Sequence, residues 1–350
     1  MNHQTLLGVE LPIIQAPMAG VQDSELALAV AAAGGLGSLL CAMLNPTQLE
    51  AELARLQEHS PQRFNINFFC HPAPLADAEQ ESRWRQLLQP YFNEFELDPH
   101  SIAPGPQRQP FSHNIADIVE PYRPAIISFH FGLPAADLLA RVKSCGSTVL
   151  ASATTVAEAQ WLAAHGADAI IAQGIEAGGH RGMFLSEQLD GQLSTWQLLP
   201  QIVHAVTLPV IAAGGIANAQ DVATATSLGA VAAQIGSAYL LCPEANTSAL
   251  HRAALASDRA QHTAVTNLFS GRPARGIINR LMRELGPIHP GVPSFPLAAT
   301  AVTALRQKAE AQGLDDFSPL WCGQNANACL AISAGELTLQ LAGKCAATVN

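Results

Sequence analysis

Apolar and polar positions alternate in blocks along this chain. Short apolar runs fall at 11–16, 36–40, 64–69, 125–129, 148–152, 167–172, 208–213 and 230–235. Between most of them lie Ala- and Leu-rich segments with helical spacing, the pattern of βα units around a parallel sheet. Helices are expected at 24–33, after the cap Asn45-Pro46-Thr47, and at 134–143, 156–165, 195–206 and 219–228. Eight such runs are what a closed (β/α)8 barrel needs, although an open doubly wound sheet can hold the same number.

The alternation fails twice. Residues 71–112 are rich in Pro and polar side chains and too long for an ordinary βα loop, so they read as an insertion over the barrel mouth. Residues 243–316 read as a helical and loop-like region covering the substrate. Helices at about 321–330 and 334–342 are expected to pack back on the barrel, within a terminal segment 317–350. The barrel itself then comprises 1–70 and 113–242. The fold class expected is α/β: a (β/α)8 (TIM) barrel with an additional, mostly helical substrate-covering region.

Composition agrees with buried parallel strands. Apolar residues make up 49% of the 350 residues and charged ones only 13%, against about 25% in typical domains. A barrel of about 250 residues leaves roughly 100 for additions. Eighteen basic and 28 acidic residues give a net charge of −10 with no basic stripe, which argues against nucleic acid and anionic membranes as partners. The start has no cationic stretch followed by an apolar run, and no apolar run approaches about 18 residues. Cys41, Cys70, Cys145, Cys242, Cys322, Cys329 and Cys345 form no CxxC pair. A reduced, cytoplasmic protein is expected.

In such a barrel the chemistry sits in the loops after the strand C-termini. Ala212-Ala213-Gly214-Gly215-Ile216 follows the seventh run and Gln234-Ile235-Gly236-Ser237-Ala238 ends the eighth. Glycine lets backbone N–H groups approach a phosphate without a Cβ in the way. One glycine pair alone could be a tight turn; two on consecutive strands at the same end point to a phosphate. Asn67 and Gln173 are amides at strand ends, able both to donate and to accept along the N3–H, O2 and O4 edge of a flavin. His180 follows Gly178-Gly179 after the sixth run and can act as a base or stabilise charge near neutral pH. His130 ends the fourth run between two phenylalanines; it is a second candidate, or a histidine satisfied within the barrel mouth.

Other chemistries lack their motifs. No HExxH or close zinc-ligand spacing occurs, so no metal is expected, and there is no GxSxG elbow or GxxxxGK[ST] loop. Gly34-Gly35-Leu36-Gly37 leads into a strand rather than following one, which excludes a dinucleotide loop. Cys41 and Cys70 have nothing nearby to lower their pKa and read as packing residues.

With these residues in place, the chain resembles the nitronate monooxygenase family, formerly the 2-nitropropane dioxygenases, over nearly its full length. The motifs carrying the resemblance are Pro12-Ile13-Ile14-Gln15-Ala16-Pro17-Met18-Ala19-Gly20, Ser128-Phe129-His130-Phe131-Gly132, Gln173-Gly174-Ile175-Glu176-Ala177-Gly178-Gly179-His180-Arg181-Gly182, and the two glycine segments above. Ser270-Gly271-Arg272-Pro273-Ala274-Arg275-Gly276 and Leu320-Trp321-Cys322-Gly323-Gln324 look like those of the class I enzymes. The resemblance implies an FMN-holding barrel with His180 as the catalytic histidine and His130 near the substrate. It implies flavin contacts from Met18, Asn67, Gln173, Gly178, Gly179, Gly214, Gly215, Gln234, Gly236 and Ser237. The implied reaction is oxidation of an alkyl nitronate, of the propionate 3-nitronate class, by O2. It passes through a flavosemiquinone and yields a carbonyl compound plus nitrite, without NAD(P)H. A monomer or homodimer is expected. In this reaction the nitronate arrives deprotonated, so His180 is expected to stabilise charge rather than abstract a proton.

The resemblance departs at one place. Related class I enzymes carry pocket tyrosines and a lysine, whereas here Ser294-Phe295-Pro296-Leu297 has Phe where Tyr is usual. The preferred nitronate is therefore open. The alternative function is an NAD(P)H-dependent FMN reductase of quinones or enoyl thioesters on the same barrel.

Overall fold

The computed structural model describes residues 2–59, 64–74, 77–99, 101–102 and 108–344. Cys345 and the end of the 317–350 segment lie outside the described residues. The strands are β1 (Ile13–Gln15), β2 (Gly37–Leu40), β3 (Phe64–Phe69), β4 (Ile126–His130), β5 (Thr148–Ala153), β6 (Ala169–Gln173), β7 (Gly179–His180), β8 (Val210–Ala213), β9 (Ala232–Ile235), β10 (Thr263–Thr266) and β11 (Ala274–Ile277). Eight of them pair in parallel in the order β1-β9-β8-β6-β5-β4-β3-β2. A parallel bridge between Ile14 and Leu36 joins the two ends. This is the expected barrel, with its helices outside.

Period-two alternation divides each strand between two environments. Ile14, Leu36, Ile126, Leu150, Ile171 and Ile211 meet in the barrel interior. Their neighbours Ile13, Ile127, Val149, Ile170 and Val210 pack in the layer with the surrounding helices. Each fully buried aliphatic side chain stabilises by about 1.5–3 kcal/mol. The bottom of the barrel is closed by Leu6, Leu7 and Val9, the first two on a short helix, His3–Leu7, that the pattern did not predict.

The outer helices begin where their caps dictate. Asp23 accepts from the Glu25 N–H ahead of Ser24–Ala32. Pro46 opens Pro46–His59. Ser194 and Gln197 form a reciprocal capping box at Thr195–Ala205. No helix among the described residues is long and apolar enough to cross a membrane.

The additions differ from expectation in detail. The irregular 71–112 stretch contains helices Ala78–Leu87 and Gln89–Glu94, the first capped by Asp77. Their Trp84, Leu88, Tyr91 and Phe92 share one core with Leu268, Phe269, Leu281, Leu305 and Phe317. Within 243–316, read as helix and loop, β10 and β11 form an antiparallel pair that extends to β7. The helix expected at 321–330 is absent. Trp321 bridges Gly276, the Gly323 N–H donates to Ser237 Oγ at 2.7 Å, and the Gln324 N–H donates to the Glu176 carbonyl at 3.0 Å. The backbone there satisfies itself on the barrel loops and has no need of helical bonds.

Candidate active site

The inward register that buries Ile126, Leu150 and Ile171 brings polar side chains inward further along the same strands. His130, Ser152 and Gln173 reach the C-terminal mouth this way, joined by Asn67 from β3 and Gln234 from β9. The loops beyond add Met18, Gly178, Gly179, His180, Gly214, Gly215, Gly236 and Ser237. All of the residues singled out from the sequence line one cavity at this end of the barrel.

One wall of that cavity is backbone. Gly214 and Gly215 have φ of +111° and +70°, a region that L side chains enter at a cost of about 1–2 kcal/mol. Among the described residues, the N–H groups of Gly215, Ile216 and Gly236 have no hydrogen-bond partner. Gln234 leaves its buried Oε1 unpaired as well. Unmet polar groups clustered at a cavity are the mark of a ligand site, because leaving them dry and unpaired costs about 1–3 kcal/mol each.

The opposite wall is built from side chains. His180 is buried, with Nε2 2.9 Å from Ser270 Oγ. Ser270 Oγ also lies 3.3 Å from the Arg272 carbonyl; as donor and acceptor in one group, the hydroxyl can partner Nε2 in either imidazole tautomer. The rings of Phe295, Trp321, Phe131 and Phe69 surround the imidazole at centroid distances of 5.5, 5.7, 6.1 and 6.3 Å. Burial, and then the positive charges of Arg108 and Arg272, hold the His180 pKa well below the ordinary histidine range. The imidazole is neutral at neutral pH.

The sequence explained His180 by its glycines, and the structure gives a different reason. A Cβ on Gly178 would lie 2.5 Å from the Cys322 carbonyl carbon and the Gly323 nitrogen. That glycine makes room for a crossing chain rather than for a ligand. His180 itself is held as an edge residue, paired with Ala274 while Gly179 pairs with Arg275. The motif Ser270–Gly276 thus supplies both the partner strand and the serine. Further support comes from Arg181, whose guanidinium donates to the carbonyls of Gly174 and Gln173 at 2.6 and 2.8 Å. Arg275 Nε donates to the Ile175 carbonyl at 2.9 Å.

Two candidates are partly committed within the protein. His130 places Nδ1 3.1 Å from Ser152 Oγ and Nε2 3.2 Å from the His180 carbonyl. Burial is the main reason its pKa falls to about 4, so it serves as a neutral strut beneath His180. Gln173 donates to the His180 carbonyl at 3.0 Å and accepts from the Gly182 N–H at 2.8 Å. Asn67 donates to Ser128. Each amide retains capacity for a further hydrogen bond.

Several residues of this wall escaped the sequence reading. His71 packs edge-on against Phe295 at 4.8 Å, with its pKa pushed by burial to about 4. Arg272 lies over the Phe131 ring at 4.3 Å and donates to the Met183 carbonyl. Arg108 reaches the cavity from the 71–112 segment. The available signal was buried arginine in a chain so poor in charge, but it has no fixed spacing.

Comparison with known proteins agrees with this architecture. The nitronate monooxygenase family model matches residues 2–343. A nitronate monooxygenase of Paraburkholderia phytofirmans PsJN is 41% identical over 96% of this chain and 92% of its own length. One from Pseudomonas aeruginosa PAO1 is 40% identical over 95% of each. The crystal structure of nitroalkane oxidase from Streptomyces ansochromogenes superposes with a TM-score of 0.87 at 34% identity, covering 97% of this chain and 96% of that one. FabK from Thermotoga maritima shares the fold, with a TM-score of 0.71 at 22% identity. By sequence over almost its whole length, this chain belongs to the nitronate monooxygenase family.

Proposed function

We propose that this chain binds FMN in the cavity and oxidises alkyl nitronates with O2 to a carbonyl compound and nitrite, with nitronates of the propionate 3-nitronate class as substrates. The observation that carries the reading is a buried, neutral His180 facing the same cavity as an array of unpaired backbone N–H groups. The free N–H groups of Gly215, Ile216 and Gly236 fit the phosphate of FMN, and Gln234 Oε1 fits a ring N–H. Bound FMN supplies an electron acceptor for the nitronate and passes electrons on to O2.

This chain's own residues hold the substrate and its charge. The substrate is already an anion, so no proton has to be removed from carbon. Its approach to His180 raises the proton affinity of the imidazole, because an adjacent negative charge favours the cationic form. With Nε2 held against Ser270 Oγ, protonation of the imidazole balances the nitronate charge. The phenylalanines around the imidazole exclude water and strengthen this pairing. Gln173 and His130 position His180 through its carbonyl. The buried thiols of Cys41, Cys242 and Cys322, pushed up by burial, fit a reducing, cytoplasmic setting.

The test is direct. The purified protein is expected to be yellow, to release FMN on denaturation, and to consume O2 and liberate nitrite from propyl nitronate without NADH. Full bleaching by NADH, with no O2 uptake on adding nitronate, would show a reductase instead.

A further inference from the structure

Among the described residues, Arg108 is the one charged group at the His180 end whose guanidinium has no hydrogen bond or ion pair; its charge meets only the face of Phe295. Its buried Nε has no partner. Arg272, the other arginine nearby, is different: it donates to the Met183 carbonyl and feels Glu158 and Glu187. Burial alone perturbs Arg108, lowering its pKa. A guanidinium left this way forgoes about 1.5–3 kcal/mol per charge-assisted hydrogen bond. Such a group in a cavity is a binding site for an anion.

Its placement is fixed. Three residues on, the Phe111 N–H donates to the Phe69 carbonyl at 2.8 Å. The Phe111 ring packs on Phe68 and Phe129 at 4.9 and 5.4 Å. The loop is thus tied to the C-terminal ends of β3 and β4, and Arg108 turns inward to line the cavity. Its Cζ lies 5.6 Å from the centroid of Phe295, and the His180 ring lies 5.5 Å from the same centroid. The two groups share contact with one buried apolar ring and both line the cavity. A ligand in that cavity with a negative charge at each end of a short carbon chain would meet both.

We propose that Arg108 is a specificity-determining residue: it takes a carboxylate carried on the carbon chain of the nitronate, and so selects acidic nitronates over plain alkyl ones. This rests on the nitronate reading of the site for the position of the first charge, at His180. It also accounts for Phe295. Where residue 295 carries no hydroxyl, a guanidinium from the 71–112 segment is placed to meet the second charge.

The test compares propionate 3-nitronate with propyl nitronate, which carries a methyl where the acid has its carboxylate, on the FMN-loaded wild type, Arg108→Met and Arg108→Lys. Loss of a charge-assisted pair predicts that Arg108→Met raises KM for the acidic substrate about 10- to 100-fold, with kcat changed less than about threefold. The ratio of kcat/KM for propionate 3-nitronate over propyl nitronate should fall about tenfold or more, and Arg108→Lys should recover part of that ratio. Equal losses on both substrates, or none on the acidic one, would overturn the assignment. Calorimetric binding of 3-nitropropionate against 1-nitropropane, both in the nitro rather than the nitronate form so that they differ in the carboxylate, separates this claim from the reaction itself. Should the wild type oxidise neither nitronate while Arg108→Met still weakens 3-nitropropionate binding about tenfold, the anion site stands and the reaction reading falls. Unchanged 3-nitropropionate binding in Arg108→Met would remove the site.

Discussion

The two ends of the cavity are made of different material. At the ends of β8 and β9 the wall is glycine backbone, with N–H groups left open at Gly215, Ile216 and Gly236. Around His180 it is side chains drawn from distant segments: Phe69, Arg108, His130 and Trp321 line it, with Ser270 and Phe295 packed behind against His180. The first end is suited to holding a phosphate that does not change. The second is an aromatic chamber flanked by Arg108 and Arg272 around a buried histidine, which on the proposed function takes up charge when an anion enters. Holding and reacting are therefore separable, and substitutions should affect them one at a time.

The strongest separation is expected from His180→Ala. Loss of the charge-stabilising imidazole should lower nitronate turnover by about 10²- to 10⁴-fold, with bound FMN unchanged in the visible spectrum. A variant that instead lost FMN would show that the two ends act as one. The reverse case is Gly215→Val. A β-branched residue at φ +70°, with its Cβ 3.1 Å from Glu176 Cβ, is strained by about 1–3 kcal/mol. The Kd for FMN, measured by fluorescence titration, should rise about tenfold or more, while turnover per bound FMN holds.

Smaller effects sharpen the picture of the His180 end. Ser270→Ala removes the hydroxyl against Nε2 and should cost about 0.5–1.5 kcal/mol, or roughly 2- to 13-fold in kcat/KM, with FMN affinity unchanged. The buried histidines also predict a pH dependence of stability. His71 and His130 have folded pKa values of about 4, below the unfolded value of about 6.5. The unfolded chain binds more protons between those values, so their contribution is intact above pH ~6.5 and declines as pH falls toward 4. The urea midpoint should fall between pH 7 and 5, and His130→Gln should flatten that slope.

What the sequence could disclose follows the same division. Strands and helices were readable because their signals are local: apolar runs, caps such as Ser194 with Gln197, and Pro46 at a helix start. The glycine wall was readable because Gly214, Gly215 and Gly236 follow strands directly. The side-chain wall was only half readable. His180 stood out behind its glycines, yet the reason for Gly178 lies at Cys322–Gly323, more than a hundred residues away. The pairing of β7 with β11 was equally hidden, since a two-residue strand has no periodicity. The helix expected over Trp321–Leu330 failed for a related reason: its backbone bonds to Ser237 and Glu176, which no local pattern announces. Arg108 sits in the stretch where alternation broke down, and its partner Phe295 lies far along the chain.

The central claim is that His180 serves nitronate oxidation on FMN held at the glycine end. Anaerobic mixing of the purified, FMN-loaded protein with propionate 3-nitronate, followed by visible absorbance, tests it most directly. The nitronate alone should reduce the flavin, admitting O2 should restore the oxidised spectrum, and His180→Ala should slow the reductive phase by about 10²-fold or more. A spectrum untouched by nitronate but bleached by NADH would contradict it.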